Sequence, residues 1–449
     1  MKNFLTLGFL FALLAVILTE CSHSADHILT DNTHGNERVV ASENKTRREG
    51  FIDLEEAKLI SNQFLNWNPD GQLKSSGKDR TLKKSSVIKL GKNKNKNGRG
   101  NNESDTLMYV LNYTDGFTIV SATNKIYPIL AYSDEGTSFD ENDTTNIGPI
   151  IWLENMEDYI ENVIEDTTVT TSMSDIYSSL PFTGNKNPDA TLRAAVYIDE
   201  IRNYKKIGPL LTTESWHQDF PYNIYSPYRD GVQAPTGCVP LAIAQVVNYY
   251  KTLNGENINW TAINNGNANA IANLIHTIAN GIGMTYEKGY AYPNLCFPDI
   301  FCYHGRIENY LKSKGYSAGF TDLIYGSTEP CPSIFEGFTK NFIGTTNWFG
   351  GHWWVMDGYE KYDVYKGWFD TALPHQPSPP QPRSSISPKN TELQKALPGI
   401  PSPGEGVIYG ILFMHFNWGW GGKSNAWYGI NDSYLDYCKS FKKLNLYKK

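Results

Sequence analysis

The stretch that constrains this chain most runs from Pro235 to Lys251, a short loop at Pro235-Thr236-Gly237 followed by a nearly unbroken apolar run from Cys238 to Tyr250. Val239, Leu241, Ala242, Ile243, Ala244, Val246 and Val247 leave a helix here with almost no face for water. Other elements must therefore enclose it, which demands a layered fold of some size. Gly237 suits the sharp turn into the helix, and Pro240 is tolerated because first-turn amides have no intrahelical partner. Cys238 thus sits at a helix N-terminus, where peptide dipoles favour the thiolate that attacks carbonyl carbon. Cysteines at such positions also serve as plain core residues, so the rest of the chain has to decide.

A chain of 449 residues with 40% hydrophobic and 13% aromatic content can build two or three packed domains. The net charge of -7 supplies no basic face for nucleic acid. Between Gly71 and Ser104, lysine and asparagine dominate, most densely from Gly91 to Gly100, and no aromatics are interleaved there; the stretch reads as a solvated loop.

Residues 1–20 have the layout of a secretory signal, with Met1-Lys2-Asn3 ahead of an apolar run from Phe4 to Leu18 that is too short for a comfortable membrane span. Export from a bacterial cell follows. Leu18-Thr19-Glu20-Cys21 resembles a lipobox, although Glu20 stands where a small residue is usual. Two outcomes are open: membrane attachment at the cell surface or outer membrane through a lipidated Cys21, or ordinary cleavage and secretion. Residues 21–50 form a polar, flexible leader.

Residues 51–166 read as a small α+β unit. Asp53 opens an amphipathic helix carrying Leu54, Ala57, Ile60, Phe64 and Leu65. Strand-like runs follow from Thr106 and from Gly116, joined at Thr114-Asp115-Gly116, and a third begins at Tyr127. A second amphipathic helix spans Ile150 to Ile164. Residues 167–206 are rich in Thr, Ser, Asn and Pro with weak periodicity, and read as a protease-sensitive linker. Residues 207–449 are rich in Trp, Tyr and Gly, as a domain with an aromatic-lined cleft would be.

Two segments of that last region bear on Cys238. His352 follows Gly350-Gly351 at the head of a strand-like run, and histidine is the usual base for a thiol nucleophile. Asn417-Trp418 precede a glycine-rich turn; an Asn amide can hold an imidazole, and an adjacent Trp can keep water off that bond. Upstream, the Gln218 amide can donate to an oxyanion beside the Cys238 amide.

The set Gly208-Pro209-Leu210-Leu211-Thr212-Thr213 with Trp216, Gln218 and Pro221-Tyr222-Asn223, then Thr236-Gly237-Cys238-Val239 with Ala242 and Ala244-Gln245, then Gly350-Gly351-His352 with Asp357-Gly358-Tyr359, and Asn417 to Gly422, resembles the streptopain-like cysteine peptidases. The N-terminal runs Phe117 to Ala122 and Ile129 to Gly136 resemble that family's inhibitory propeptide. The resemblance implies an α+β fold, with a papain-like catalytic domain of helical side and antiparallel sheet side preceded by a small α+β propeptide domain. It implies Cys238 as nucleophile, His352 as base and later acid, Gln218 as oxyanion donor, Asn417 as orienting group and Trp418 as shield. Substrates would be proteins or peptides, the chain's own propeptide would be an intramolecular inhibitor, and no cofactor or metal is implied.

The chain departs from the family in residues 373–406, a proline-rich insertion between His352 and Asn417 that reads as exposed extended chain, either a flap or exosite or an idle loop. Trp353 and Trp354 also replace smaller residues. Cys296, Cys302, Cys331 and Cys438 allow two disulfides in an exported protein; a zinc site from Cys296, Cys302 and His304 matches no common spacing. Two other functions compete with a cysteine endopeptidase zymogen: transglutaminase-like acyl transfer on the same fold, and a silent papain-like binding protein.

Overall fold

Asp53 sets the first helix: its Oδ1 accepts the Glu56 amide at 2.8 Å, capping α1, Leu54–Asn66. Ala57, Ile60, Ser61, Phe64 and Leu65 are its buried residues, at the spacing of one helical face. That face lies on an antiparallel hairpin of β2, Thr106–Tyr113, and β3, Phe117–Ser121, followed by β4, Ile129–Ser133. Gly116 turns the hairpin with φ of +89°, and a Cβ there would lie 2.0 Å from the Ser133 carbonyl oxygen. Both faces of β2 and β3 are buried because α2, Ile147–Glu165, covers the side opposite α1.

The computed structural model describes residues 50–66, 80–90, 105–166, 195–294, 302–322, 331–340, 346–370, 407–430 and 441–449, with the backbone alone at 195–202, 322, 346–350, 364–370 and 407–409. All belong to one compact unit, Arg47–Lys449. The signal segment with Cys21, the leader up to residue 49, the linker from 167 to 194, Cys296, Cys438 and the proline-rich insertion lie outside the described residues.

After the N-terminal unit come β5, Ala195–Ile207, and the short hairpin of β6, Tyr228–Arg229, and β7, Val232–Gln233. The helical side is α3, Cys238–Tyr250, with α4, Trp260–Asn264, α5, Ala268–Ile282, and α6, Cys302–Ser313. A second hairpin pairs β8, Met284–Glu287, with β9, Tyr290–Pro293. The sheet side holds β10, Tyr316–Asp322, β11, Ser333–Lys340, β12, Thr346–Asp370, β13, Val407–Asn417, β14, Ala426–Gly429, and β15, Lys442–Lys448. Every residue of α3 from Val239 to Asn248 is buried, as the unbroken apolar run requires, against α5, α6 and one face of β11, β12 and β15.

The N-terminal and catalytic strands form one eleven-stranded sheet. The join is β4 against β14, with Tyr132 opposite Trp427 and Ala131 opposite Tyr428. Buried polar groups reinforce it: the Tyr132 hydroxyl donates to Glu360, and Lys206 Nζ meets the same carboxylate at 3.0 Å while lying 4.3 Å above the Trp427 ring.

Two stretches read as loop or linker are strands. Residues 82–89 form β1, antiparallel to β2; as the outermost strand it exposes Lys83, Lys84, Ser85, Val87 and Lys89, and lysine on an edge strand discourages further pairing. Residues 195–207 form β5, which pairs with β12 from Tyr359 to Asp370. There the partner strand orders a run that mixes apolar residues with charged ones. Cys302 is disulfide-bonded, and the Cys331 side chain lies near the Tyr250 hydroxyl.

Gly148, at the start of α2, touches the catalytic side directly: a Cβ there would stand 2.2 Å from Cε3 of Trp418. Gly148→Val should therefore weaken the seat of α2 on the sheet by about 1–3 kcal/mol. Denaturant unfolding of the full-length Cys238→Ala protein checks this, an unchanged midpoint being the contrary result.

Candidate active site

Cys238 begins α3, and Gly237 before it has φ of +91° with Met284 Cε 2.8 Å from where a Cβ would be. Only glycine passes the chain so close to β8 in that conformation. The sulfur is half-buried and faces three backbone amides, those of Cys238, Val239 and Trp353. Enclosure dominates and pushes the thiol up to about 11, with the Glu336 carboxylate adding to the rise and the amides opposing it. Cys238 is thus a neutral thiol at neutral pH in this arrangement.

Gln218 is buried, and its carbonyl accepts the Thr236 amide at 2.9 Å, two residues before Cys238. The same loop reaches the glycine-rich turn, where Gly421 N–H donates to the Trp216 carbonyl at 3.1 Å. The Gln218 backbone is therefore joined to the loop that leads into Cys238.

His352 lies in β12 opposite Gly337 of β11. Side chains alternate along a strand, so Trp353 and Val355 enter the core beneath α3, where Cys238 also packs, while Trp354 and Met356 enter the core shared with α2. His352 follows Trp354: the rings stack with centres 6.2 Å apart at 16°, and Nε2 lies 2.9 Å from the Trp418 carbonyl oxygen, to which it donates. Burial pushes the imidazole down to about 4, against a smaller upward pull from that carbonyl. Among the described residues Cys238 and His352 share no hydrogen bond.

Asn417 and Trp418 end β13. Asn417 is fully buried opposite Val355; its Oδ1 accepts the Gly419 amide at 3.1 Å, and its Nδ2 has no protein partner. Trp418 is also fully buried, its indole N–H shared between the Ser424 carbonyl at 3.0 Å and the Tyr428 hydroxyl at 3.1 Å. The five predicted residues are therefore split. Gln218 is tied through its backbone to the loop before Cys238, His352 and Trp418 stand together on the other face of β12, and Asn417 is engaged by its own turn.

Several residues of the site carry no motif. Glu336 binds Trp353, Tyr303 and His304 next to Cys238; its one signal is a lone acid in the apolar run from Ser333 to Phe338. His304, weighed in sequence as a zinc ligand, is held by that carboxylate at 2.7 Å. Thr137 and Asn146 of the N-terminal unit bind the glycine-rich turn: Thr137 Oγ1 accepts the Ser424 amide at 3.1 Å and Asn146 Nδ2 donates to the Lys423 carbonyl at 3.1 Å. A cavity of about 890 Å³ opens at that same seam, lined by Asp134, Lys206, His415, Lys423 and Trp427, rather than at Cys238.

Comparison with known proteins matches the two halves separately. Residues 216–369 match the Peptidase C10 family, and residues 49–160 match the Spi protease inhibitor family. The chain belongs to the streptopain-like C10 cysteine peptidases. It is a cysteine endopeptidase with an inhibitory propeptide unit at its N-terminal side. Streptopain of Streptococcus pyogenes serotype M28 is 25% identical over 388 residues, covering 78% of this chain and 82% of the relative. Streptopain of serotype M1 gives the same identity and coverage. Among solved structures, a fragment of Prevotella intermedia prointerpain A is similar with TM-score 0.44 at 16% identity, covering 81% of this chain and 98% of that one. Active interpain A from the same organism gives TM-score 0.33 at 17% identity, covering 54% and 94%.

The buried imidazole makes stability depend on pH. His352 in the folded chain titrates near 4 against 6.5 for its ordinary value, so above about pH 6.5 it contributes nothing to the dependence. Below that, the unfolded chain takes up a proton that the folded chain refuses, and stability falls until about pH 4, by up to about 3 kcal/mol. Full-length Cys238→Ala should lose stability across this window and Cys238→Ala/His352→Gln should lose less, as read by urea unfolding. Parallel curves would contradict the burial of a neutral His352.

Proposed function

We propose that this peptidase is exported behind its leading apolar run as a latent precursor and hydrolyses peptide bonds through a thioester on Cys238. In this reading Cys238 gives its proton to His352, and the thiolate attacks the scissile carbonyl carbon. The resulting oxyanion takes hydrogen bonds from the Gln218 amide and the Cys238 backbone N–H. The imidazolium then protonates the departing amine, leaving the acyl group on sulfur. Water, deprotonated by His352, hydrolyses the thioester and restores the thiol. Asn417 orients the imidazole and Trp418 excludes water from that bond.

The observation that carries this reading is a cysteine at the first residue of a buried helix, ringed by three amides and packed against the strand that bears His352. Latency follows from the same strand. In the precursor the Nε2 proton of His352 goes to the Trp418 carbonyl, and Thr137, Asn146 and Gly148 of the propeptide unit hold the turn that carries Trp418. Loss of residues 51–166 would release that turn and let His352 exchange the carbonyl for the Asn417 amide, on the Cys238 face. Because β5 is paired with β12 from Ala195 onward, the maturation cut within 167–206 falls upstream of Ala195. Attachment through a lipidated Cys21 is the finer form of the export proposal, read from the mass of the N-terminal peptide taken from cells.

Cys238→Ala and His352→Ala should each abolish casein hydrolysis, since nucleophile and base act as a unit, and Gln218→Ala should lower turnover by roughly 10²-fold. Purified wild type should shorten to a product beginning before Ala195 while Cys238→Ala keeps its full mass. Substantial hydrolysis by folded Cys238→Ala would remove the proposed nucleophile.

A further inference from the structure

Glu336 is a buried carboxylate beside the nucleophile that the proposed chemistry leaves unused. It is 2% exposed and is the one acidic residue of β11. Its Oε1 accepts the Trp353 indole N–H at 2.9 Å and the Tyr303 hydroxyl, and its Oε2 lies 2.7 Å from His304 Nε2. Tyr303 and His304 sit in the first turn of α6, directly after the disulfide-bonded Cys302. His304 stacks on Phe320 with ring centres 4.0 Å apart. Lys442 of β15 stands opposite Glu336 in the sheet. A carboxylate this deep is tolerable only when its oxygens are satisfied, and here α6 and β12 both supply donors.

What the carboxylate holds most directly is the Trp353 indole, and the backbone N–H of that same residue faces the Cys238 sulfur. A fixed indole restrains the peptide plane to which it is attached. We propose that Glu336 is a positioning residue for the nucleophile: by pinning the Trp353 indole, it holds the Trp353 backbone amide against the Cys238 sulfur. This rests on the reading of Cys238 as nucleophile.

The same carboxylate also acts on the sulfur through space. Its negative charge disfavours the thiolate, whereas the amide it positions favours it. Tyr303 faces the sulfur from α6, the first turn of α3 carries no acidic residue, and His352 lies on the other face of β12. The two effects have opposite sign, so substitution separates them.

The test is the rate of iodoacetamide labelling of Cys238 in the full-length precursor from about pH 7 to about pH 11, read by peptide mass spectrometry. Glu336→Gln keeps an acceptor for the indole but loses the charge, so labelling at pH 8 should speed up about three- to tenfold. Trp353→Phe keeps the charge and loses the indole donor, so labelling should slow by about threefold or more. Packing alone would shift both variants in the same direction; shifts of one sign, or none, overturn the proposal. Should Trp353→Phe fail to fold, Glu336→Gln decides by itself, and slower or unchanged labelling overturns it. Turnover by Cys238→Ala would instead sink the nucleophile reading, while the labelling rates still report on Glu336.

Discussion

The hydrogen bond from His352 Nε2 to the Trp418 carbonyl is the interaction on which the proposed latent state depends. It can form only because alternation along β12 sends His352 and Trp354 into one core and Trp353 into the other. The core that receives His352 is completed by Ile151, Trp152, Met156 and Ile160 of α2. Without α2 that face of the sheet would expose Trp354 and Trp418 to water, so the buried aromatic surface and the misdirected histidine share a single cause. In the proposed latency the propeptide unit acts from behind β12, the strand of His352, and does not need to plug the cleft.

Continuity of the sheet explains how so small a unit imposes that arrangement. Strand β4 extends the catalytic sheet at β14, and rings from both sides interlock across the join, with Tyr132 and Phe413 centres 5.3 Å apart and Trp152 and Tyr428 4.9 Å apart. Backbone pairing fixes the register, and the rings then exclude water from the Glu360, Tyr132 and Lys206 cluster. Cysteine and histidine titrate away from each other in this state, the thiol upward and the imidazole downward, because each is enclosed without its partner. Neither is charged at neutral pH, as the proposed latency requires.

Much of this was legible in the residues. The apolar run after Gly237 required a buried helix with Cys238 at its head, Asp53 announced its helix, and Thr114-Asp115-Gly116 announced its hairpin. The strand faces were not legible, since His352-Trp353-Trp354 offers no alternation of polar and apolar residues to say which side chain points where. β1 was missed because its order comes from pairing with β2 rather than from its own lysine-rich composition, and β5 because it follows a polar stretch and takes its order from β12. Glu336 was missed because Tyr303 and His304 lie far from it in sequence and reach it through the packing of α6 on β11, while Trp353 reaches it through the pairing of β11 with β12.

The central claim is that His352 is neutral and turned away from Cys238 until the propeptide unit leaves. Its most direct test is an NMR titration of histidine-labelled Cys238→Ala protein, with His352 assigned by substitution, before and after removal of residues up to the linker by an added protease. The account predicts that His352 in the precursor stays neutral until close to pH 4 and titrates at higher pH once the N-terminal unit is gone. A His352 resonance that titrates near its ordinary value in the intact precursor, and does not change on maturation, would contradict it.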